Sequence, residues 1–303
     1  MNQREFGRSG IKLSSITFGS MRLDPKLIEL DAAVELIAYL HENGINTFHS
    51  SHEYASDRFF CQVMQQFRSR HPGAEIVHIA KIGVPHFDET EFSSAKLISL
   101  IENRLKQLDT ERIDLVQWLV RHQPNEDRYR LPILAECQSE LSHTWSRLQQ
   151  EGKVGVLASF PYTVPFAQAA LQFAPCRGLV TYLNLLELEM VPLLTKMEDA
   201  GQGYVAIRPL GGGLITTENF TSPQADKNYQ NQLETIITRL NIPASDLTQL
   251  AVQFPLLHPV VTSVMISVTS LKHAAEVIAA ADRESDRHAF QEILQAVDST
   301  KST

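Results

Sequence analysis

A chain of 303 residues, 43% of them apolar and 20% charged, can bury a large core, enough for two ordinary domains or for one large α/β barrel. Its net charge of −8, with basic residues scattered among acidic ones, excludes the cationic footprint of a nucleic-acid binder or of a protein held on an anionic membrane. Three widely spaced cysteines, Cys61, Cys137 and Cys176, argue against a disulfide framework and for a reducing compartment. With a polar start, "MNQREFGRSG", and no apolar run near the ~20 residues of a membrane span, the expectation is a cytoplasmic protein.

Taken in chain order, short β-branched runs alternate with segments of helical period. The first strand candidate is "SITF" (15–18). A helical stripe of Leu30, Ala33, Val34, Ile37 and His41 follows, with Gly44 as its stop. "INTF" (45–48) and "IVHIA" (76–80) are the next strands, then a stripe of Leu97, Ile101, Leu105 and Leu108, then "IDLVQW" (113–118). Leu134, Cys137, Leu141, Trp145 and Leu148 make a third stripe before "VGVLA" (154–158), "LVTYL" (179–183), "YVAI" (204–207) and "VTSVM" (261–265). The apolar stripes read as core, because helices packing on a sheet need that spacing. Eight strands alternating with helices predict parallel pairing through right-handed crossovers and closure into a (β/α)₈ TIM barrel, one domain over residues 1–303.

In such a barrel the chemistry sits at the C-terminal ends of the strands. After the second strand come His49, Ser50, Ser51, His52, Glu53 and Tyr54, and after the third comes Lys81. A tyrosine beside a lysine suggests proton transfer, since a nearby ammonium lowers a phenol's pKa. The plainer alternative is a packed tyrosine and a solvated rim lysine. His49 and His52, with His78, His86 or His122, supply imidazoles in no tetrahedral zinc pattern, so no metal is expected. GxSxG is absent, as are an open-sheet dinucleotide fingerprint and a GxxxxGK[ST] loop. "RPLGGGLIT" (208–216) is either a phosphate-binding loop or a tight turn that needs glycine.

The collinear order of "REFGRSGIKLSSITFGSMR" (4–22), "GINTFHSSHEYA" (44–55), "AKIG" (80–83), "LKQLDTERIDLVQW" (105–118), "EGKVGVLA" (151–158), "YLNLLELE" (182–189), "RPLGGGL" (208–214) and "LLHPVVTSVMIS" (256–267) resembles the aldo-keto reductases over nearly the whole chain. The resemblance implies a barrel with a short N-terminal β-hairpin closing its bottom, ending here in a C-terminal helix. It also implies reduction of an aldehyde or ketone with NADPH or NADH. The family works with an aspartate, a tyrosine, a lysine and a histidine. Carried over by position, Tyr54 is the proton donor and Lys81 tunes it, while His49 stands where the aspartate should be and Leu119 where the histidine should be. The "HQPN" segment (122–125) looks like the family's His-x-Pro-Asp but begins three residues late, on the opposite strand face. His122 can then replace the lost histidine only through a bulge, and His49, His52 and His122 are the candidates for the substitute.

The resemblance assigns the cofactor to Gly19, Met21, Pro209, Leu210, Gly211 and Gly213, with Ser270 or Lys272 at the position of the family's basic residue near the adenosine end; Arg208 replaces a small polar residue and is itself a candidate for the pyrophosphate. Phe160 and Pro161 replace the Ser-Asn pair that grips the nicotinamide amide, Val180 a glutamine, and Ile207 a stacking aromatic. Two readings follow. One is a divergent NAD(P)H-dependent reductase of a small carbonyl compound, with a Tyr/Lys pair lacking its usual carboxylate. The other is a barrel without hydride transfer, acting on a protein partner as a binding, regulatory or assembly module.

Overall fold

The computed structural model describes residues 1–87, 89–121, 126–281 and 285–298. Two short strands, β1 (Gln3–Glu5) and β2 (Lys12–Ser14), form an antiparallel hairpin that pairs Gln3 with Ser14. The chain then runs β3 (Ile16–Gly19), α1 (Leu30–Glu42), β4 (Thr47–Ser51), α2 (Asp57–Arg70), β5 (Val77–Gly83), α3 (Ser94–Leu108) and β6 (Ile113–Leu119). It continues through α4 (Asp127–Gln150), β7 (Val154–Ser159), α5 (Val164–Leu171), β8 (Cys176–Tyr182), α6 (Val191–Asp199) and β9 (Gly203–Ile207). The last elements are α7 (Thr217–Phe220), α8 (Lys227–Leu240), α9 (Leu247–Leu256), β10 (Val261–Ile266), α10 (Leu271–Ala281) and α11 (Arg287–Asp298).

Strands β3 to β10 close into an eight-stranded barrel in the order β10-β3-β4-β5-β6-β7-β8-β9, every ladder parallel. All eight predicted strands are present, and the three apolar stripes lie on α1, α3 and α4, turned onto the barrel. β4 and β5 extend three residues past their apolar runs, to Ser51 and Gly83, through the buried His49, Ser50 and Ser51 and the half-buried Lys81. His49 and Lys81 are thus strand residues, not residues of the following loops. Among the described residues no helix is long and apolar enough to cross a membrane, and the three cysteines are free thiols.

The hairpin plugs the N-terminal end of the barrel. Phe6, Ile11 and Leu13 join Ile79, Leu115, Val156, Ala158, Val180 and Val205 in one interior cluster. The Phe6 ring fits because β8 and β9 carry glycine where it passes: a Cβ would stand 2.7 Å from it at Gly178 and 2.5 Å from it at Gly203. With the bottom sealed, the opposite end is left for chemistry.

Candidate active site

The parallel register sets which side chains meet. His49 pairs with Ile79, level with Leu115, and Lys81 pairs with Gln117 two residues further along, so these positions share the interior face of the ladder. Gln117 donates its amide N–H to the Val180 carbonyl (2.9 Å), which turns its Oε1 toward His49 Nε2 at 2.8 Å. Because a carbonyl only accepts, this fixes the amide orientation and makes Nε2 the protonated nitrogen of His49. Burial drives the His49 pKa down to about 3, against the opposing Gln117 hydrogen bond, so the imidazole is neutral. A polar chain therefore crosses the barrel from β4 to β8. His52 is exposed on the loop that follows, and partial burial lowers its pKa against the opposing charge of Glu53.

Tyr54 lies in the loop between β4 and α2, held by its own N–H on Ser51 O and by Asp57 N–H on its carbonyl, each at 3.0 Å. Its ring centroid is 6.0 Å from that of His49 and 4.7 Å from Lys81 Nζ. The expected pair is thus brought together. Two expectations about it are corrected. Lys81 keeps a carboxylate partner: Glu53 Oε2 stands 3.1 Å from its ammonium. The phenol's proton affinity is raised, not lowered, first by burial and then by the Glu53 charge, while Arg121 opposes. The ammonium faces the ring and spends its charge on Glu53.

Arg121 and Glu53 are the residues that sequence reasoning missed. Arg121 Nε donates to Glu53 Oε1 at 3.1 Å and Nη2 donates to Oε2, a two-pronged ion pair. Burial and the neighbouring Arg121 charge depress the Lys81 pKa, and Glu53 resists that. Burial would raise the Glu53 pKa, but Lys81 and Arg121 together hold it below the usual carboxylate range. Leu119, at the family's histidine position, is fully buried, and Arg121 lies two residues further on the same face. That alternation was a readable signal; the 68-residue separation between Glu53 and Arg121 hid the pairing. His122 lies outside the described residues.

The cofactor candidates from β3, β9 and their shared neighbour β10 occupy one contiguous part of the rim. Gly19 ends β3, and its carbonyl accepts from Ser267 Oγ at 2.6 Å. Met21 is exposed in the next turn. After β9, Arg208 takes a positive φ of 57°, Pro209 is buried, Leu210 is half-buried, and Gly211 to Gly213 form a tight turn with Gly213 N–H on Leu210 O at 2.8 Å. Arg22 Nη2 reaches the Gly212 carbonyl at 3.4 Å, and a Cβ on Gly212 would come within 3.1 Å of Arg208 Nη2. Two guanidinium groups thus flank a glycine turn, a donor set that fits phosphate oxygens. Lys272 is exposed in the first turn of α10, 3.8 Å from Glu276.

The rim near β7 and β8 differs. Phe160 is buried and meets Tyr162 edge-on at 4.4 Å and Tyr182 at 5.4 Å between centroids. This side offers ring faces and no side-chain amide at positions 160 and 161. Arg208 lies 5.4 Å over Tyr182 and 3.4 Å from Glu187. Tyr162, Thr163, Tyr182, Glu187, Glu189 and Met190 line a cavity of ≈ 340 Å³. Among the described residues no group of three or more His, Cys, Asp or Glu could hold a metal ion.

The family model for the aldo/keto reductase family matches residues 15–298. The L-galactose dehydrogenase of Arabidopsis thaliana is 23% identical over 313 residues, covering 97% of this chain and 92% of that protein. An aldo-keto reductase from Bacillus halodurans superposes in its holo form with a TM-score of 0.75 at 18% identity, covering 98% of this chain and 96% of its own. Its apo form gives 0.74 at the same identity and coverage.

Proposed function

This chain belongs to the aldo/keto reductase family, a family of NAD(P)H-dependent oxidoreductases, and we propose that it reduces a small aldehyde or ketone with Tyr54 as the proton donor. One observation carries the reading: Tyr54 and Lys81 meet at the open end of the barrel inside a charge cluster of Lys81, Arg121 and Glu53. The cluster sums to one positive charge. At 4 to 5 Å such a charge favours a neighbouring anion by about 1 to 4 kcal/mol, depending on the local dielectric. It offsets part of the cost of the buried phenolate left when Tyr54 gives its proton to the carbonyl oxygen, while burial and the Glu53 charge still hold the phenol's proton affinity up.

The raised proton affinity of Tyr54 keeps the donor loaded, and the alkoxide formed on reduction is basic enough to take that proton. A bound nicotinamide cofactor supplies the hydride in this family. Arg208, Arg22 and the Gly211–Gly213 turn would hold its phosphates, with Gly19 and Met21 beside them, and Lys272 would stand at the adenosine end. Neutral His49, hydrogen-bonded to Gln117, forms the floor under Tyr54 and orients the substrate through shape and not through charge.

For the substrate we favour a polyhydroxylated carbonyl compound. Glu187, Glu189 and Thr163 can accept or exchange hydroxyl hydrogen bonds, while Tyr162 and Tyr182 offer faces to C–H groups. L-galactose, in the name of the plant relative, is of that class. A second reading, a binding or regulatory protein without hydride transfer, draws on the buried Phe160 at the amide-gripping position. Titration with NADPH and with NADH, followed by heat or by Trp118 fluorescence, separates them. Binding at about micromolar Kd is expected, and no binding up to about millimolar would remove the reductase reading.

A further inference from the structure

We propose that Glu53, clamped by Arg121 above Gly83, is the displaced counter-ion of Lys81 and a positioning residue for Tyr54. The proposal rests on the reductase reading for its catalytic meaning, but its geometry stands apart from it. Two cations and an imidazole converge on this one carboxylate: Lys81 Nζ at 3.1 Å, Arg121 through two nitrogens, and His86 Nε2 at 3.6 Å. Only 14% of the Glu53 side chain is exposed.

The site is built and not fortuitous. The β5–β6 ladder continues past both strands, with Val84 N–H on Leu119 O (3.1 Å) and Arg121 N–H on Pro85 O (3.0 Å), so Arg121 is fixed by backbone. Gly83 supplies the space: a Cβ there would stand 3.0 Å from Glu53 Oε1, 3.2 Å from Arg121 Cδ and 3.3 Å from Arg121 Nε. The Phe87 ring lies 5.2 Å from the guanidinium carbon, and Arg121 Nη1 reaches the Tyr162 hydroxyl at 3.4 Å. Glu53 directly precedes Tyr54. Tying its carboxylate to β5 and to the end of β6 fixes the loop that carries the phenol.

The same carboxylate sets the local charge. Among the described residues, His49 from β4, Lys81 from β5, Arg121 after β6, Tyr162 after β7 and Tyr182 from β8 lie around Tyr54, and the Glu53 carboxylate, with His86 on its far oxygen, acts on it. Removing Glu53 leaves Lys81 and Arg121 uncompensated, and Tyr54 should then ionise at lower pH.

The test is an ultraviolet titration of the Tyr54 phenol in the full chain, taken as the difference from Tyr54→Phe in each background, with folding checked by circular dichroism. Glu53→Gln should lower the ionisation of Tyr54 by about one to three pH units. Gly83→Ala, whose Cβ presses on both Glu53 and Arg121 and makes them give by a few tenths of an ångström without changing any charge, should move it by a smaller amount in the same direction, and Glu53→Asp should lie between wild type and Gln. The alkaline limb of kcat/KM for carbonyl reduction should move with the titration. Folded Glu53→Gln and Gly83→Ala proteins with the wild-type Tyr54 titration would overturn the proposal and leave the reductase reading intact. A shifted titration in a protein that reduces no carbonyl would support the clamp and end the reductase reading.

Discussion

Histidine at position 49 changes what acid does to the molecule. Its pKa is about 3, lowered by burial, and His78 on β5 is likewise about 3, lowered first by burial and then by Arg68. In the unfolded chain each would titrate near 6.5. As pH falls below about 6.5, the unfolded state binds protons that the folded state refuses, so stability is present above 6.5 and is lost down to about 3. Each histidine contributes a slope of about 1.4 kcal/mol per pH unit within that window. Urea unfolding between pH 7 and pH 4 should show that loss, and His49→Asn should reduce the slope by one histidine's share. An unchanged slope would mean that His49 is not held neutral. Of these residues, Tyr54 and Lys81 were legible in the sequence because they sit at family positions. Glu53 and Arg121 were not assigned, because an ion pair between residues 68 apart exists only once β4, β5 and β6 are in register.

Elements were more legible than side-chain partners. Eight apolar runs gave eight strands, since a strand buried on both faces must be apolar along its length. Their ends were misjudged at β4 and β5, where the chain continues as strand through His49 to Ser51 and through Lys81 to Gly83. Apolar pattern stops where the barrel interior turns polar, so pattern alone marks the edge of the core and not the edge of the ladder. The hairpin shows the opposite case, an element implied by resemblance whose reason appears in the packing. Phe6 is fully buried against Gly178 and Gly203, so Phe6→Ala should cost about 3 to 5 kcal/mol in denaturant unfolding. Gly203→Ala should also destabilise, and the double variant should cost less than the sum, because the small residue at position 6 removes the ring contacts and leaves the Gly7 backbone nitrogen at 2.8 Å. Strict additivity would show that the ring and the glycine do not share that space.

At the scale of the whole molecule, the barrel divides its open end by chemistry. The β9–β10–β3 side presents Arg22, Arg208 and a glycine turn suited to phosphates, β4 to β6 present the Tyr54 charge cluster, and β7 to β8 present aromatic rings beside Glu187 and Glu189. A shared fold at 18% identity does not by itself carry an activity, so the account stands on whether those three sectors act on one substrate. The most direct measurement follows oxidation of NADPH or NADH by the full chain with a panel of small polyhydroxylated aldehydes and ketones, wild type against Tyr54→Phe. Wild type should turn over at least one of them, and the variant should lose about 100-fold or more with cofactor binding unchanged. Equal turnover by Tyr54→Phe, or cofactor bound without any turnover by wild type across the panel, would contradict the proposed reaction.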